Sequence, residues 1–197
     1  MPTMIDVAFP LCGRALPRDH RRALTEALEG ALPWLAALAH AWLHRVNVAA
    51  GDGALALLSG RSRLMLRLPR SRADDVNVLA GVELTIGTQR VRLGEPRRRE
   101  LLPHSTLYSH LVAEDTADEI AFLNAVAGEL VALEVRARPV CGRRQAVDDG
   151  RLAGFSLMLD GLSPEASLRV LETGLGIERR LGCGLFVPHK SAVAVGA

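Results

Sequence analysis

Two histidines four residues apart, in His40-Ala41-Trp42-Leu43-His44, would share one face of a helix and suggest a metal site. A zinc protease with this spacing needs a glutamate directly after the first histidine as its general base. Ala41 stands there, so that reading fails and only a bare two-histidine site is left open. Gly154-Phe155-Ser156-Leu157-Met158 resembles a nucleophile elbow, but Met158 occupies the place of the second glycine. Gly174-Leu175-Gly176 opens like a dinucleotide fingerprint, yet Arg179 replaces the third glycine and the run follows a helical pattern. A Rossmann site is excluded. The segment from Gly174 to Gly184 remains. Gly174, Gly176, Gly182 and Gly184 flank an insert carrying Arg179 and Arg180. Glycine lets backbone N–H groups approach an anion, and arginine adds charge to the same loop. A helix C-cap and a strand bulge would account for one or two of these glycines, not four.

Charge points the same way. Of 24 basic residues only Lys190 is lysine, and the rest are arginine. A GC-rich genome accounts for the bias, whereas placement bears on phosphate recognition, for which guanidinium forks are suited. The clusters are Arg97-Arg98-Arg99, Arg143-Arg144 and Arg179-Arg180, with His189-Lys190 near the end. Any one of them is by default a solvated face. Aromatic residues are only 4% of the chain, which argues against a binder that stacks single-stranded bases on exposed rings. Cys12, Cys141 and Cys183 are odd in number and far apart, as expected in a reducing cytosol, and they form neither a disulfide framework nor a CxxC metal site. The longest apolar run, Ala31 to Leu43, is well short of the ~20 residues of a membrane span. A hydrophobic content of 49% excludes global disorder.

The elements that must position these residues repeat. Ile5, Val7 and Phe9 alternate as a strand with one buried face. Asp19 is placed to cap a helix carrying Leu24, Leu28, Ala31 or Leu32, and Leu35, which Pro33 breaks or kinks near Gly30–Leu32. A second helical piece is expected to reach Leu43. Strands follow at Val46–Val48, Ala54–Leu58 and Arg63–Leu68, then a short helix capped by Ser71 and a strand around Val91 and Leu93. The second half runs through a strand at Leu107–Val112 and a helix opened by the capping box of Thr116 and Glu119. Strands at Arg138–Val147 and Leu152–Leu159 then flank a tight Asp148-Asp149-Gly150 turn. A helix capped by Ser163-Pro164 and a last strand at Leu185–Val187 complete it. Both halves read β-α-β-β-α-β. The expectation is an α+β chain of two tandem ferredoxin-like domains, residues 1–100 and 101–197.

The glycine pattern before the last strand of a doubled ferredoxin-like chain resembles the repeat-associated RNA-binding superfamily of CRISPR systems. Within it the chain resembles the sixth Cas family, endoribonucleases that cut precursor CRISPR RNA, and its small MYXAN-like subgroup. The stretches that carry the likeness span nearly the whole chain. They are Ile5-Asp6-Val7-Ala8-Phe9-Pro10, Asp19-His20, Leu32-Pro33-Trp34-Leu35 with Leu43-His44, Arg61-Ser62-Arg63-Leu64, Arg67-Leu68-Pro69, and the glycine-rich loop through Val187-Pro188.

The resemblance implies a cofactor-free, metal-independent cut. In it the ribose 2′-hydroxyl attacks the neighbouring phosphate and leaves a 2′,3′-cyclic phosphate and a 5′-hydroxyl. It implies a catalytic histidine after the first long helix, where His44 stands, with His20 the second candidate. No tyrosine or lysine partner stands beside His44. RNA contacts are expected from Gly174, Gly176, Arg179, Arg180, Gly182 and Gly184, and from Arg143, Arg144 and Lys190. The implied partners are a CRISPR repeat stem-loop and other Cas proteins of an effector complex, in the cytoplasm and without a membrane. The alternative is a non-catalytic subunit of such a complex that coats guide RNA.

Overall fold

The structure is a computed structural model that describes residues 2–38, 41–49, 51 and 53–189. His40 and Lys190 lie outside the described residues, and with them the two-histidine alternative and the expected Lys190 contact. The chain divides into two compact units, Thr3–Glu100 and the part from Leu101 onward. Among the described residues no helix is long and apolar enough to cross a membrane.

The first unit contains β1 (Met4–Cys12), β2 (Ala15–Pro17), α1 (Arg21–Ala31), β3 (Trp42–Leu43), β4 (Leu55–Leu57), β5 (Arg63–Pro69), β6 (Glu83–Ile86), β7 (Gln89–Leu93) and β8 (Arg97–Arg99). The main sheet has the order β3-β5-β1-β7-β6, and β8 also pairs with β1. All of its pairings are antiparallel. Strand β5 lines one edge of β1 from Met4 to Pro10, while β8 and β7 share the other edge. The period-two pattern of β1 and β5 sorts residues cleanly onto two faces. Ile5, Val7 and Phe9 oppose Leu68, Leu66 and Leu64 in the core, together with Leu24 and Leu28 of α1. Each such side chain contributes about 1.5–3 kcal/mol on burial. The opposite face carries Asp6, Ala8 and Pro10, paired with Arg67, Met65 and Arg63.

Several local expectations are corrected here. Helix α1 ends at Ala31, and Pro33 opens a single 3-10 turn to Leu35 because its ring cannot continue the helical hydrogen bonds. Among the described residues no second helical piece reaches Leu43. Trp42 and Leu43 are buried and pair with Arg67 and Leu66 as a short strand. The N-cap of α1 is His20, not Asp19. The expected strand at Val46–Val48 reduces to one bridge, Ala49 with Leu57. The helix expected after Ser71 is two 3-10 turns, Arg70–Arg72 and Asp75–Leu79, without side-chain caps. Arg97–Arg99, which the sequence offers only as an arginine cluster, is strand β8.

The second unit runs β9 (Thr106–Ala113), α2 (Glu119–Ala132), β10 (Arg138–Val147), β11 (Leu152–Asp160), α3 (Pro164–Thr173) and β12 (Val187–Pro188). Its sheet is antiparallel with the order β10-β11-β9-β12. Phe122, Val126 and Leu130 recur every fourth residue on the buried stripe of α2. The cap of α2 is Asp118, whose carboxylate accepts the Ala121 N–H, while the Thr116 hydroxyl accepts the Asp118 N–H. The capping-box reading was therefore two residues early. Ser163 caps α3 with Pro164 in the first turn, as its sequence implied. The last strand begins at Val187, two residues later than expected.

Candidate active site

His44 follows β3, and its backbone N–H donates to the Met65 carbonyl of β5 at 2.9 Å. The ring is enclosed, with 6% of the residue exposed. Its Nε2 lies 3.3 Å from Asp6 Oδ1. Asp6 is also gripped by Arg67, which sits directly across the β1–β5 ladder. Arg67 Nε donates to Oδ1 at 2.7 Å and Nη2 donates to Oδ2 at 3.0 Å. This fork-on-carboxylate geometry is the strong form of the ion pair. Arg67 itself is 1% exposed, so Asp6 compensates a fully buried charge.

The electrostatics determine the state of His44. Burial pushes the Asp6 carboxyl up, but the hydrogen bonds from His44 and Arg67 outweigh it and hold the group well below the ordinary carboxylate range. Asp6 is therefore ionised and can only accept. The His44 Nε2 must carry a proton. Burial, then repulsion from Arg67, pull the His44 pKa down against the attraction of Asp6. The imidazole is neutral at neutral pH, with its tautomer set by Asp6 and Nδ1 as its basic nitrogen. Such a group can take up a proton.

His20, the other candidate, is buried at the start of α1. Its Nδ1 donates to the Pro17 carbonyl at 2.9 Å, which leaves Nε2 as a buried lone pair without a partner. Burial lowers its pKa, and Arg21 and Arg45 repel the protonated form. His20 therefore sits within the field of Arg45, the residue that follows His44. The two histidines share no hydrogen bond: the His20 Nδ1 is bonded to Pro17 and its Nε2 has no partner.

The glycine-rich loop is built differently from the phosphate cradle its composition suggested. All four glycines have positive φ: 65° at Gly174, 74° at Gly176, 76° at Gly182 and 68° at Gly184. All four amides are already hydrogen-bonded. Gly174 N–H donates to Val170 O, Gly182 to Arg179 O and Gly184 to Leu111 O. Gly176 N–H donates to both carboxylate oxygens of Glu129 on α2, at 2.9 and 3.0 Å. These glycines exist because the backbone turns left-handed and packs on itself. A Cβ on Gly184 would fall 1.7 Å from the Leu175 carbonyl oxygen, and one on Gly176 would fall 2.6 Å from Ala113 O. Gly184→Ala is expected to lower stability by about 2–5 kcal/mol, from overpacking and left-handed strain together. Gly128→Ala, with open space at a helical position, should instead gain about 0.5–1 kcal/mol. Paired thermal melts of the two variants check both signs.

Arg179, expected to contact RNA, is held within the loop. It packs over Gly174, lies 3.7 Å from Glu129 and keeps its Nε buried. Arg180 is half-buried, while Ile177 and Glu178 form the exposed tip. Arg143 and Arg144 are exposed on β10 at a bulge between Cys141 and Arg144. Arg144, Arg151 and Ile177 share a cavity of about 430 Å³ with the 114–117 segment. Sequence reasoning missed Asp6 and Arg67. The signal was present in the alternation of Met65 and Arg67 with Leu64, Leu66 and Leu68.

The family model described as "Cas6: Cas6 Crispr" matches residues 5–191. The chain belongs to the Cas6 family. It is 36% identical over 194 residues to the "CRISPR-associated endonuclease Cas6" of Myxococcus xanthus strain DK1622, covering 97% of this chain and 84% of that one. Among solved structures, a "CRISPR associated protein Cas6" superposes with a TM-score of 0.66 at 10% identity, over 95% of this chain and 100% of the other. The CRISPR endoribonuclease Cse3 bound to a 19-nucleotide RNA gives a TM-score of 0.52 at 12% identity, over 93% and 98%. Those two likenesses establish a Cas6-type fold. The M. xanthus relative adds the family's endonuclease branch.

Proposed function

We propose that this Cas6-family protein is a CRISPR RNA-processing endoribonuclease that binds the stem-loop of a CRISPR repeat and cleaves precursor CRISPR RNA beside it. The observation that carries the reading is the 36% identity to a Cas6 endonuclease across almost the whole chain. The likeness in fold to Cse3 bound to RNA supports the choice of substrate. In this reading each unit is a ferredoxin-like domain. The β-α-β-β-α-β order and the β10-β11-β9-β12 sheet of the second unit support that.

His44 is the proton-transfer residue of this proposal, with His20 second. Asp6 holds the tautomer, and the neutral ring accepts the proton of the attacking 2′-hydroxyl through Nδ1. The oxygen then closes on phosphorus as the bond from phosphorus to the 5′-oxygen breaks, that oxygen takes a proton from water, and a 2′,3′-cyclic phosphate remains. Surrounding arginines offset the charge that develops on the phosphorane. The burial of His44 favours the second reading, a guide-RNA-binding subunit without cleavage. One assay separates the two. Incubated with a CRISPR repeat RNA, the endonuclease cuts at one site, whereas the subunit only shifts the RNA in a gel.

The proposed chemistry uses no metal. The Asp6 carboxylate is engaged by Arg67, and among the described residues no group of three His, Cys, Asp or Glu side chains is arranged to hold an ion. Cleavage is expected to proceed unchanged in EDTA. Loss of activity that added Mg²⁺ or Zn²⁺ restores would sink the mechanism.

A further inference from the structure

The face of the first sheet opposite its core carries a cavity of about 320 Å³. Arg45, Arg61, Arg63 and Arg99 line it, with Asn47 and Met65, and none of its lining residues is acidic. The strands converge there for a simple reason. Met65 and Arg63 point to this face from β5, opposite Ala8 and Pro10, and Arg99 reaches it from β8 opposite Asp6.

Codon bias explains why the chain has many arginines, but not why these four lack counter-charges among the described residues. Elsewhere in the first unit Arg67, Arg70, Arg72, Arg90 and Arg98 each meet a carboxylate. Around the cavity, Arg45, Arg61 and Arg99 have no carboxylate partner among the described residues. Arg63 donates to the Gly60 and Ser62 carbonyls, which fixes its guanidinium at the rim. The one acid across from Arg99, Asp6, is held by Arg67 and His44. Four cations around one concavity repel each other unless an anion joins them.

We infer that this cavity is a phosphate-binding subsite that seats one unpaired nucleotide of the RNA next to His44. The inference rests on the RNA-processing reading for the identity of the strand. The volume sits at the lower end of the ~300–1,000 Å³ of small-ligand pockets, so it fits a single nucleotide and not a duplex. Guanidinium forks match phosphate oxygens. Asn47 offers an amide to a base edge, and Met65 offers the one sizeable apolar contact. No aromatic ring is present, so charge dominates and base preference is weak. Met65 links the cavity to the candidate active site, since its carbonyl accepts the His44 N–H and Arg45 directly follows His44.

The test compares wild type with the double variant Arg45→Gln/Arg99→Gln and with Arg61→Gln, all exposed positions. Binding is measured for a repeat hairpin with a single-stranded flank and for the bare hairpin. The double variant should bind the flanked RNA ~10-fold or more weaker, the loss of two charge-assisted hydrogen bonds. Its salt slope should drop by about 1.4, at about 0.7 per phosphate contact on a single strand. Affinity for the bare hairpin should stay the same. Arg61→Gln should show a smaller loss in the same direction. Equal affinity of wild type and double variant for the flanked RNA, or an equal loss on both RNAs, overturns the subsite.

A titration with adenosine monophosphate and with inorganic phosphate, followed by the arginine Nε–H NMR signals, distinguishes a nucleotide site from a free anion site. Wild type should respond to the nucleotide at lower concentration than to phosphate, and the double variant to neither. Equal responses to the two ligands, or no response in wild type, refute the nucleotide assignment. Should wild type not bind repeat RNA at all, the RNA-processing reading fails. This titration then still decides the cavity by itself.

Discussion

His44→Ala is expected to slow single-turnover cleavage of repeat RNA by roughly 10²–10⁴-fold, the contribution of a positioned general acid or base. RNA affinity should change little, because a proton-transfer group acts in the transition state and not in ground-state binding. His44→Gln keeps a donor toward Asp6 and should be equally slow, which separates proton transfer from packing. The wild-type rate also carries a signature. The depressed pKa of His44 keeps it in its basic form through neutral pH, so the acid limb of the rate profile should lie below about pH 6.5, the ordinary histidine value. Near-normal cleavage by His44→Ala would reduce the His44–Asp6–Arg67 cluster to a structural device and move the chemistry to His20.

The largest effect on stability is expected from Asp6→Ala. It leaves the Arg67 guanidinium buried and unpaired, which costs about 3–5 kcal/mol. For a unit of this size the melting temperature should fall by more than ~10 °C. The paired change Asp6→Leu/Arg67→Met removes both charges and should recover most of that loss. A double variant no more stable than Asp6→Ala would show that the ion pair is not what Asp6 supplies.

Acid should weaken the fold in two stages. His44 and His20 have lowered pKa values in the folded state, each mainly through burial. The unfolded chain therefore binds their protons first, and stability falls as the pH drops below about 6.5. Asp6 has the opposite chemistry and the same outcome. Its depressed carboxyl contributes fully above the unfolded value of about 3.9, and that contribution is lost as the pH falls from there toward the folded value. Equilibrium unfolding in urea from pH 8 to pH 3 reads both stages. His44→Gln should flatten the first.

The local code of the chain was strong wherever a period or a cap operates within a few residues. The hairpin Arg138–Val147 with Leu152–Asp160 was legible from its alternation and its Asp148-Asp149-Gly150 turn, and the Ser163-Pro164 cap set the start of α3. The resemblance of scattered stretches was enough to indicate the family. Pairing across long separations was not legible. Trp42 and Leu43 look helical by their neighbours, but β5 captures them as a strand, because burial against Arg67 and Leu66 outweighs a weak local preference. Arg97–Arg99 reads as a solvated basic cluster until β1 offers it a free edge. The same holds for the candidate site. His44 was visible as a residue type, whereas its Asp6 and Arg67 partners stand 38 and 61 positions from their contacts. Only the register of β1 against β5 brings Asp6 and Arg67 face to face, and only their burial makes His44 neutral. The four glycines were visible too. That their amides are bonded to Val170, Glu129, Arg179 and Leu111 depended on how the loop closes on β9 and α2, since a backbone donor shows its partner only once the chain is folded.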